Sequence, residues 1–456
     1  MRKLIHSFLL LFVFFTIYYW LSVYLIEEKQ FFHLKPIFFA EKARLATEGV
    51  VPRIENIGFV YPPFVFLPFL LFRDVPISVA FLSSIISYTI FNLPKRYILA
   101  VLFIFSPPFL YAATQRPDIF LSFTLLALSL RYFALYMENA VSVHIFISGL
   151  FFGMSFFADF RTILLVPYIL ISGIILLRGE KNTKRNVAVL GVFLTPVVAF
   201  MFMWMYINWV FTGNPLHFIE SPYSYFKTFS PLEGNPAGFY LTNLILALGY
   251  LIGVIFIKRN IMPLYLLPPV FLLLSTETGL VDGFMVNAVL FLIFFLVFSD
   301  FFRFNVVLRS VLFLNLILLL PAMYFSPDLN ERDFFRAFIG MNVKGNLVDY
   351  KNTSLFLNKN SGDILMDDAL NFPVVYFAEN IKRYILPYRS DFSVALSAPH
   401  LFADWVVVNK NFKKDVVRAH IEKDEIFKLN FQKAYENEKF VVYKNVKPIS
   451  VFLIKP

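Results

Sequence analysis

Residues 26–64 read IEEKQFFHLKPIFFAEKARLATEGVVPRIENIGFVYPPF, a charged stretch that runs into Tyr61-Pro62-Pro63 and is flanked on both sides by hydrocarbon-like sequence. It brings carboxylates (Glu27, Glu28, Glu41, Glu48, Glu55) and cations (Lys35, Lys42, Arg44, Arg53) to a membrane surface. Before it, residues 4–26 are apolar over a length that crosses about 30 Å of hydrocarbon. That run is too long for the core of a cleaved signal, and no small-residue cleavage site follows it. It is expected to be a retained first span, with the charged stretch as the first loop beyond it.

Composition agrees. Of 456 residues, 58% are hydrophobic and only 16% charged, which excludes a water-soluble globular domain and makes this a polytopic membrane protein. Cysteine is absent, so disulfides, thiolate metal sites and a cysteine nucleophile are excluded. The net charge of +10 lies largely in short loops, where membrane proteins collect basic residues anyway. No basic surface interleaved with aromatics is evident, so nucleic acid is not an expected partner.

Apolar runs of about 15–25 residues fall near 4–26, 75–93, 97–113, 118–136, 140–158, 162–177, 187–211, 239–257, 261–275, 280–299 and 304–325. They predict a polytopic α-helical membrane protein of about eleven transmembrane helices. With the N-terminus in the cytoplasm, the basic loops (Arg2 and Lys3, Lys95 and Arg96, RGEKNTKR at 178–185, Lys258 and Arg259, Arg303 and Arg309) all fall inside. The segment 59–72 is apolar but short and carries three prolines. If it crossed, the 178–185 loop would lie outside, so it is expected to sit in the interface and wall a site.

After residue 325 the composition changes. Residues 326–456 hold 19 Lys and Arg and 16 Asp and Glu, nearly half of the chain's charges. A soluble extracytoplasmic α/β domain is expected there, following a transmembrane domain over 1–325. Its pattern reads as a strand before Asp367-Asp368, a helix over FPVVYFAEN, a strand over WVVV from Trp405 to Val408, a helix around DVVRAHIEKDEIFKL and a last strand FVVYKNV.

The loops expected outside are 27–74, the turn at Gln115 to Asp118, Asp159 to Arg161, the loop 211–238 and STETGLVDG at 275–283. Ionisable groups at a membrane border are functional candidates by default. Arg116 and Asp118 flank Pro117 at the mouth of a span, and Asp159 and Arg161 form a similar pair one hairpin later, where local pairing is the simpler account. Residues 36–47 read as an amphipathic helix lying along the membrane and ended by Gly49, with Glu41 and Arg44 spaced to pair.

In this order of motifs (the acidic first loop with its Ala-Arg helix, Tyr-Pro-Pro, the Arg-Pro-Asp turn, the Asp-Phe-Arg hairpin, Gly213-Asn214-Pro215 and an α/β tail) the chain resembles the integral-membrane C-type glycosyltransferases. These use polyprenyl-phosphate sugars; the aminoarabinose and protein mannosyl transferases are examples. The resemblance covers essentially the whole chain and implies a fold of the GT-C type in the plasma (inner) membrane. It also implies an acid early in the first loop that deprotonates the acceptor hydroxyl, with lipid phosphate as leaving group. By spacing that acid falls near residues 33–36, where this chain has His33, Leu34, Lys35 and Pro36.

Glu28, at the end of the first span, is the first candidate to replace it, followed by Glu41 and by His33. The resemblance makes Asp118 a contributor to the site, and Tyr61, in the proline-broken interfacial segment 59–72, is expected to line it. Arg116, Arg44 and Lys35 are cations for a phosphate, with Arg161 a further substrate-binding candidate. His217 and Glu220 are candidates to hold a divalent cation with Glu28 or Asp118. The expected partners are a polyprenyl-phosphate sugar donor, a lipid, glycan or protein acceptor, and membrane lipid. A flippase or transporter of lipid-linked glycans and a catalytically inactive scaffold are the rival readings. Against the transporter, the mid-span regions are almost uniformly Phe, Leu, Ile and Val.

Overall fold

The computed structural model describes residues 2–93, 97–177, 183–221, 224, 257–259, 261–278, 282–301, 323–411, 415–422 and 424–446. It also describes 243, 244, 246–248, 250–255, 280 and 320. The chain forms two compact units. One comprises Met1–Leu25, Gly58–Pro68 and Pro76–Val343; the other comprises Ile26–Ile57, Phe69–Val75 and Lys344–Pro456. Most of the expected loop 211–238, most of the segment 304–325 and the basic residues Lys95, Arg96, 178–182, Arg303 and Arg309 lie outside the described residues.

The helices run in chain order α1 (Arg2–Val23), α2 (Leu34–Glu48), α3 (Leu67–Phe72), α4 (Val75–Asn92), α5 (Tyr97–Ile104), α6 (Pro107–Gln115) and α7 (Pro117–Asn139). They continue as α8 (Ser142–Ala158), α9 (Val166–Leu177), α10 (Thr183–Thr212), α11 (His217–Glu220), α12 (Met262–Tyr265), α13 (Leu267–Glu277) and α14 (Phe284–Phe298). The last three used below are α15 (Leu329–Phe338), α16 (Val348–Asn358) and α17 (Phe372–Tyr376).

This is a helical membrane protein, but not one of eleven uniform long spans. Among the described residues five helices are long and apolar enough to cross: Ile5–Glu28, Val75–Asn92, Pro117–Asn139, Arg185–Thr212 and Phe284–Phe301. Proline explains part of the shortfall, because it removes a backbone donor and disfavours helix in the residue before it. The run 97–113 is two helices divided at Ser106, whose extended backbone precedes Pro107. The run 261–275 is likewise cut into α12 and α13, each with a proline in its first turn. Residues 63–66 form a 3₁₀ turn that leads into the six-residue α3, too short to span.

In the helical unit α8 packs between α7 and α10. Gly149 and Gly153 make the second contact possible: a Cβ would meet Phe193 O at 2.1 Å from the first and the Phe200 ring at 2.5 Å from the second. On the other side Ser148 Oγ donates to Ser129 O at 2.7 Å. Every residue of α14 is buried, as expected of a helix that is apolar all round. The unit's two ends are marked by different contacts. Lys258 pairs with Glu138 at 2.6 Å and Arg131 reaches Asp300 at one end. At the other, the loops at 116–118, 159–161 and 280–282 meet, and Tyr24 Oη donates to Ala337 O at 3.3 Å.

The second unit is built on a five-stranded sheet, β1 (Ile364–Met366), β2 (Tyr384–Ile385), β3 (Trp405–Asn409), β4 (Phe431–Glu436) and β5 (Phe440–Asn445), in the order β2-β1-β3-β5-β4. β2, β1 and β3 are parallel; β5 runs antiparallel to β3 and to β4. Side chains alternate. Ile364, Met366, Trp405 and Val407 face a core shared with Tyr350 and Leu357 of α16, Val374 of α17 and Leu45 of α2. Leu365, Val406 and Val408 face a second core with Phe392, Val417, Ile421 and Phe427. The expected strands before Asp367, at 405–408 and at 440–445 are present; the helix expected over 372–380 is confined to Phe372–Tyr376, and the helix expected around 415–429 is two short ones, Val416–Ile421 and Glu425–Asn430.

Candidate functional site

The main polar feature of the helical unit is a buried network made by three turns. Pro117 starts α7, which puts Arg116 and Asp118 on either side of a helix N-terminus. Arg116 donates from Nε to Asp118 Oδ1 and from Nη2 to Asp118 Oδ2, both at 3.3 Å, and from Nη1 to Asp282 Oδ1 at 3.2 Å. Asp159 ends α8, and its carboxylate accepts from Arg161 N at 2.9 Å, from Nε at 3.0 and 3.1 Å and from Nη2 at 2.6 Å. Arg161 Nη1 donates to Leu280 O at 3.0 Å and to Asp282 Oδ2. Asp282 thus ties the two pairs together. All five side chains are buried, and three carboxylates against two guanidiniums leave one negative charge.

This geometry places two of the expected cations. Arg161 is fully buried, with Nε, Nη1 and Nη2 all engaged, and each nitrogen of Arg116's fork meets a carboxylate. Burial works against the Arg116 charge, and Asp118 and Asp282 outweigh it, holding the guanidinium above its usual pKa. Beside Asp282, Gly283 opens α14, and Glu331 caps that helix by accepting from Met285 N at 2.7 Å and Val286 N at 3.3 Å. Ser326 Oγ donates to the other Glu331 oxygen at 2.9 Å. Burial raises the Glu331 carboxyl well above the usual range, only partly offset by these donors. A Cβ on residue 283 would overlap the Glu331 carboxylate at 2.3 Å, so glycine is what lets the cap approach.

Tyr61, the expected site wall, is half-buried against an aromatic cluster of Phe59, Phe156, Phe157, Phe160, Trp204 and Phe218. His217 and Glu220 bracket the short α11, where Glu220 Oε2 accepts from Asn214 Nδ2 at 2.7 Å and so braces the Gly-Asn-Pro turn. Among the described residues no three His, Cys, Asp or Glu side chains are grouped as ligands for a metal ion. The residues expected to hold a divalent cation therefore do not form a donor set, and no chemistry is routed through one.

The remaining candidates lie in the α/β unit. Glu28 is exposed at the end of a π turn (Tyr24–Glu28), and its neighbour Glu27 pairs with Lys351 at 3.0 Å. His33 caps α2, its Nδ1 accepting from Lys35 N at 3.1 Å, so that nitrogen is engaged and both residues belong to the helix start. Arg44 does not pair with Glu41: it reaches Glu48 at 3.2 Å and donates to Tyr376 O and Ala378 O at 2.6 and 3.0 Å. The i,i+4 carboxylate and the two carbonyls of the chain leaving α17 compete better for the guanidinium.

Glu41 is fully buried beside Lys42, whose Nζ is 3.4 Å from Glu41 Oε2 and 2.5 Å from Asp368 Oδ2. Neither Glu41 oxygen has a hydrogen-bond partner. Burial pushes its carboxyl up to about 8, against the attraction of Lys42. For Lys42 burial opposes the charge, and Asp368 and Glu41 more than compensate.

The group Asp367, Asp368 and Asn409 sits where the parallel strands β1 and β3 end. There Asp367 accepts from Ala369 N and Val416 N, and Asn409 Nδ2 donates to Asn371, so these groups tie the strand ends to the chain that follows them. Two residues of these sites had weak sequence signals. Asp282 lies in a loop expected to face outward, but nothing in STETGLVDG marks it as the bridge; Asp368 adjoins an expected strand end. The chain matches no protein-family model, and no curated protein is similar enough to count as a relative.

Proposed function

We propose that the protein is a membrane glycosyltransferase that takes a sugar from a polyprenyl-phosphate donor and transfers it, with inversion, to a lipid, glycan or protein acceptor outside the cytoplasm. One observation carries the reading. The first loop and the tail belong to one folded unit, with Leu45 of the loop in the core of the tail's sheet. Both therefore lie on one side of the membrane, and the chain between them crosses an even number of times. Ten crossings between residues 75 and 325, with 59–72 in the interface, satisfy this condition; a further crossing at 59–72 would not.

That arrangement suits a donor that enters from lipid and an acceptor that arrives from water. The three turns joined by Asp282 supply a rigid polar end to the helical unit. Among the candidate bases Glu28 is the accessible carboxylate, whereas Glu41 is enclosed and His33 is committed to its cap. Glu28 takes the proton of the acceptor hydroxyl as its oxygen attacks the anomeric carbon and lipid phosphate departs.

The test is sugar transfer from radiolabelled polyprenyl-phosphate sugars in proteoliposomes. Glu28→Gln is expected to lower turnover about 10²-fold or more with unchanged thermal unfolding. Full activity in that variant moves the base to Glu41 or His33, and no transfer by wild type across a donor panel refutes the reading. Topology is checked separately, since a chain without cysteine accepts single-cysteine labelling cleanly. Outside reagent should modify Asn352→Cys and spare Lys184→Cys.

A further inference from the structure

The α/β unit holds a second polar feature, at the end of the sheet where β1 and β2 begin. Residues 358–363 together with Glu379, Asn380 and Arg383 border a cavity of about 470 Å³, within the range of about 300–1,000 Å³ usual for small-molecule sites. Arg383 is fixed there, donating from Nε to Gly362 O at 2.7 Å and from Nη1 to Leu357 O at 3.2 Å. Its Nη2 is enclosed by protein, so the guanidinium shapes this wall of the cavity without offering that donor to it. Asn360 and Asn380 each use one end of the amide on the backbone, donating to Phe356 O at 2.7 Å and accepting from Lys382 N at 3.0 Å respectively. One therefore presents a carbonyl and the other an NH₂ group.

The charges on this lining balance: Lys359 and Arg383 against Asp363 and Glu379, with Ser361 adding a hydroxyl. A phosphate would meet two carboxylates, and an apolar ligand would strand the amides. A neutral ligand dense in hydroxyls, each both donor and acceptor, fits all of them at once. We propose that this cavity binds a neutral saccharide, held by Asn360, Asn380 and Glu379. On the glycosyltransferase reading above, on which this last step rests, it is where an acceptor glycan is gripped.

The experiment uses the full chain in detergent, titrated with maltotriose, mannotriose and chitotriose, with inorganic phosphate as anion control, and followed by saturation-transfer NMR. At least one trisaccharide should bind. Ser361→Trp, which fills the cavity, and Glu379→Ala, which removes an acceptor, should each weaken binding about tenfold or more. Both positions are exposed, so thermal unfolding should not move. Absence of binding by all three trisaccharides, binding of phosphate in their place, or wild-type affinity in both variants overturns the proposal. Saccharide binding without sugar transfer by wild type would refute the enzyme reading and sustain this one; transfer without binding would do the reverse.

Discussion

Two buried charge clusters in this protein solve the same problem differently. In the helical unit, Arg116 and Arg161 meet Asp118, Asp159 and Asp282 through forked guanidinium contacts, and every carboxylate has a cation. In the α/β unit one ammonium, Lys42, serves two acids and lies nearer Asp368 than Glu41; Glu41 has no hydrogen bond and holds its proton to about pH 8. The difference teaches that burial is met either by matched partners or by neutralisation. A planar fork can satisfy two carboxylates at once, whereas an ammonium acts as a point charge that its nearest partner captures.

The largest way to break the comparison is Arg161→Ala, which strands Asp159 and weakens the hold on Asp282. Destabilisation of about 3–5 kcal/mol is expected, read as a lowered unfolding temperature in detergent, and Arg161→Lys should not restore it. Arg116→Ala should cost less, about 2–3 kcal/mol, because Asp282 keeps Arg161 and only Asp118 loses its cation. Equal losses in the two variants would show that Asp282 does not bridge them.

On the other side, Lys42→Met leaves Asp368 without its partner and should destabilise by about 2 kcal/mol, with Glu41 still neutral. Glu41→Gln, which imitates the protonated acid, has its smallest effect at low pH, where Glu41 is protonated in both folded and unfolded states. Its signature is pH dependence. The folded pKa of about 8 lies above the unfolded value, so between roughly pH 4.3 and 8 the folded state holds the extra proton and wild-type stability falls as pH rises. The stabilising contribution is complete below the unfolded pKa and gone above the folded one. Relative to wild type, Glu41→Gln should gain stability across that window at up to about 1.4 kcal/mol per pH unit. A constant difference between the two from pH 5 to 8.5 would show that Glu41 ionises normally and dissolve the contrast.

Parts of both clusters were legible beforehand. The Arg-Pro-Asp and Asp-Phe-Arg turns stood out because charges beside apolar runs are rare, and the second pairs locally as its spacing suggested. Their union was not legible, since Asp282 is more than a hundred residues away and its loop has several polar neighbours. In the sheet, β1, β3 and β5 were visible as short apolar runs. β4 was not: it is an edge strand whose side chains are mostly exposed, so it carries no hydrophobic alternation. β2, two residues long, is below any periodic signal. Gly149 and Gly153 take their meaning from the close approach of α10, which only the packed helices show.

By itself the sequence determined the solvent of each part, because hydrophobicity is a property of local composition: a helical membrane region, then a charged α/β tail. It also carried the prolines beside which two expected spans divide, although α10 runs unbroken through Pro196. Only the tertiary structure decided that α2 belongs to the tail's sheet and that Arg44 turns from its expected partner to two backbone carbonyls. The same holds for Asp282 joining two distant turns and for the proton kept by Glu41. Each of these depends on which groups are brought together across long stretches of chain and on how completely they are removed from water, and neither is written in any local window.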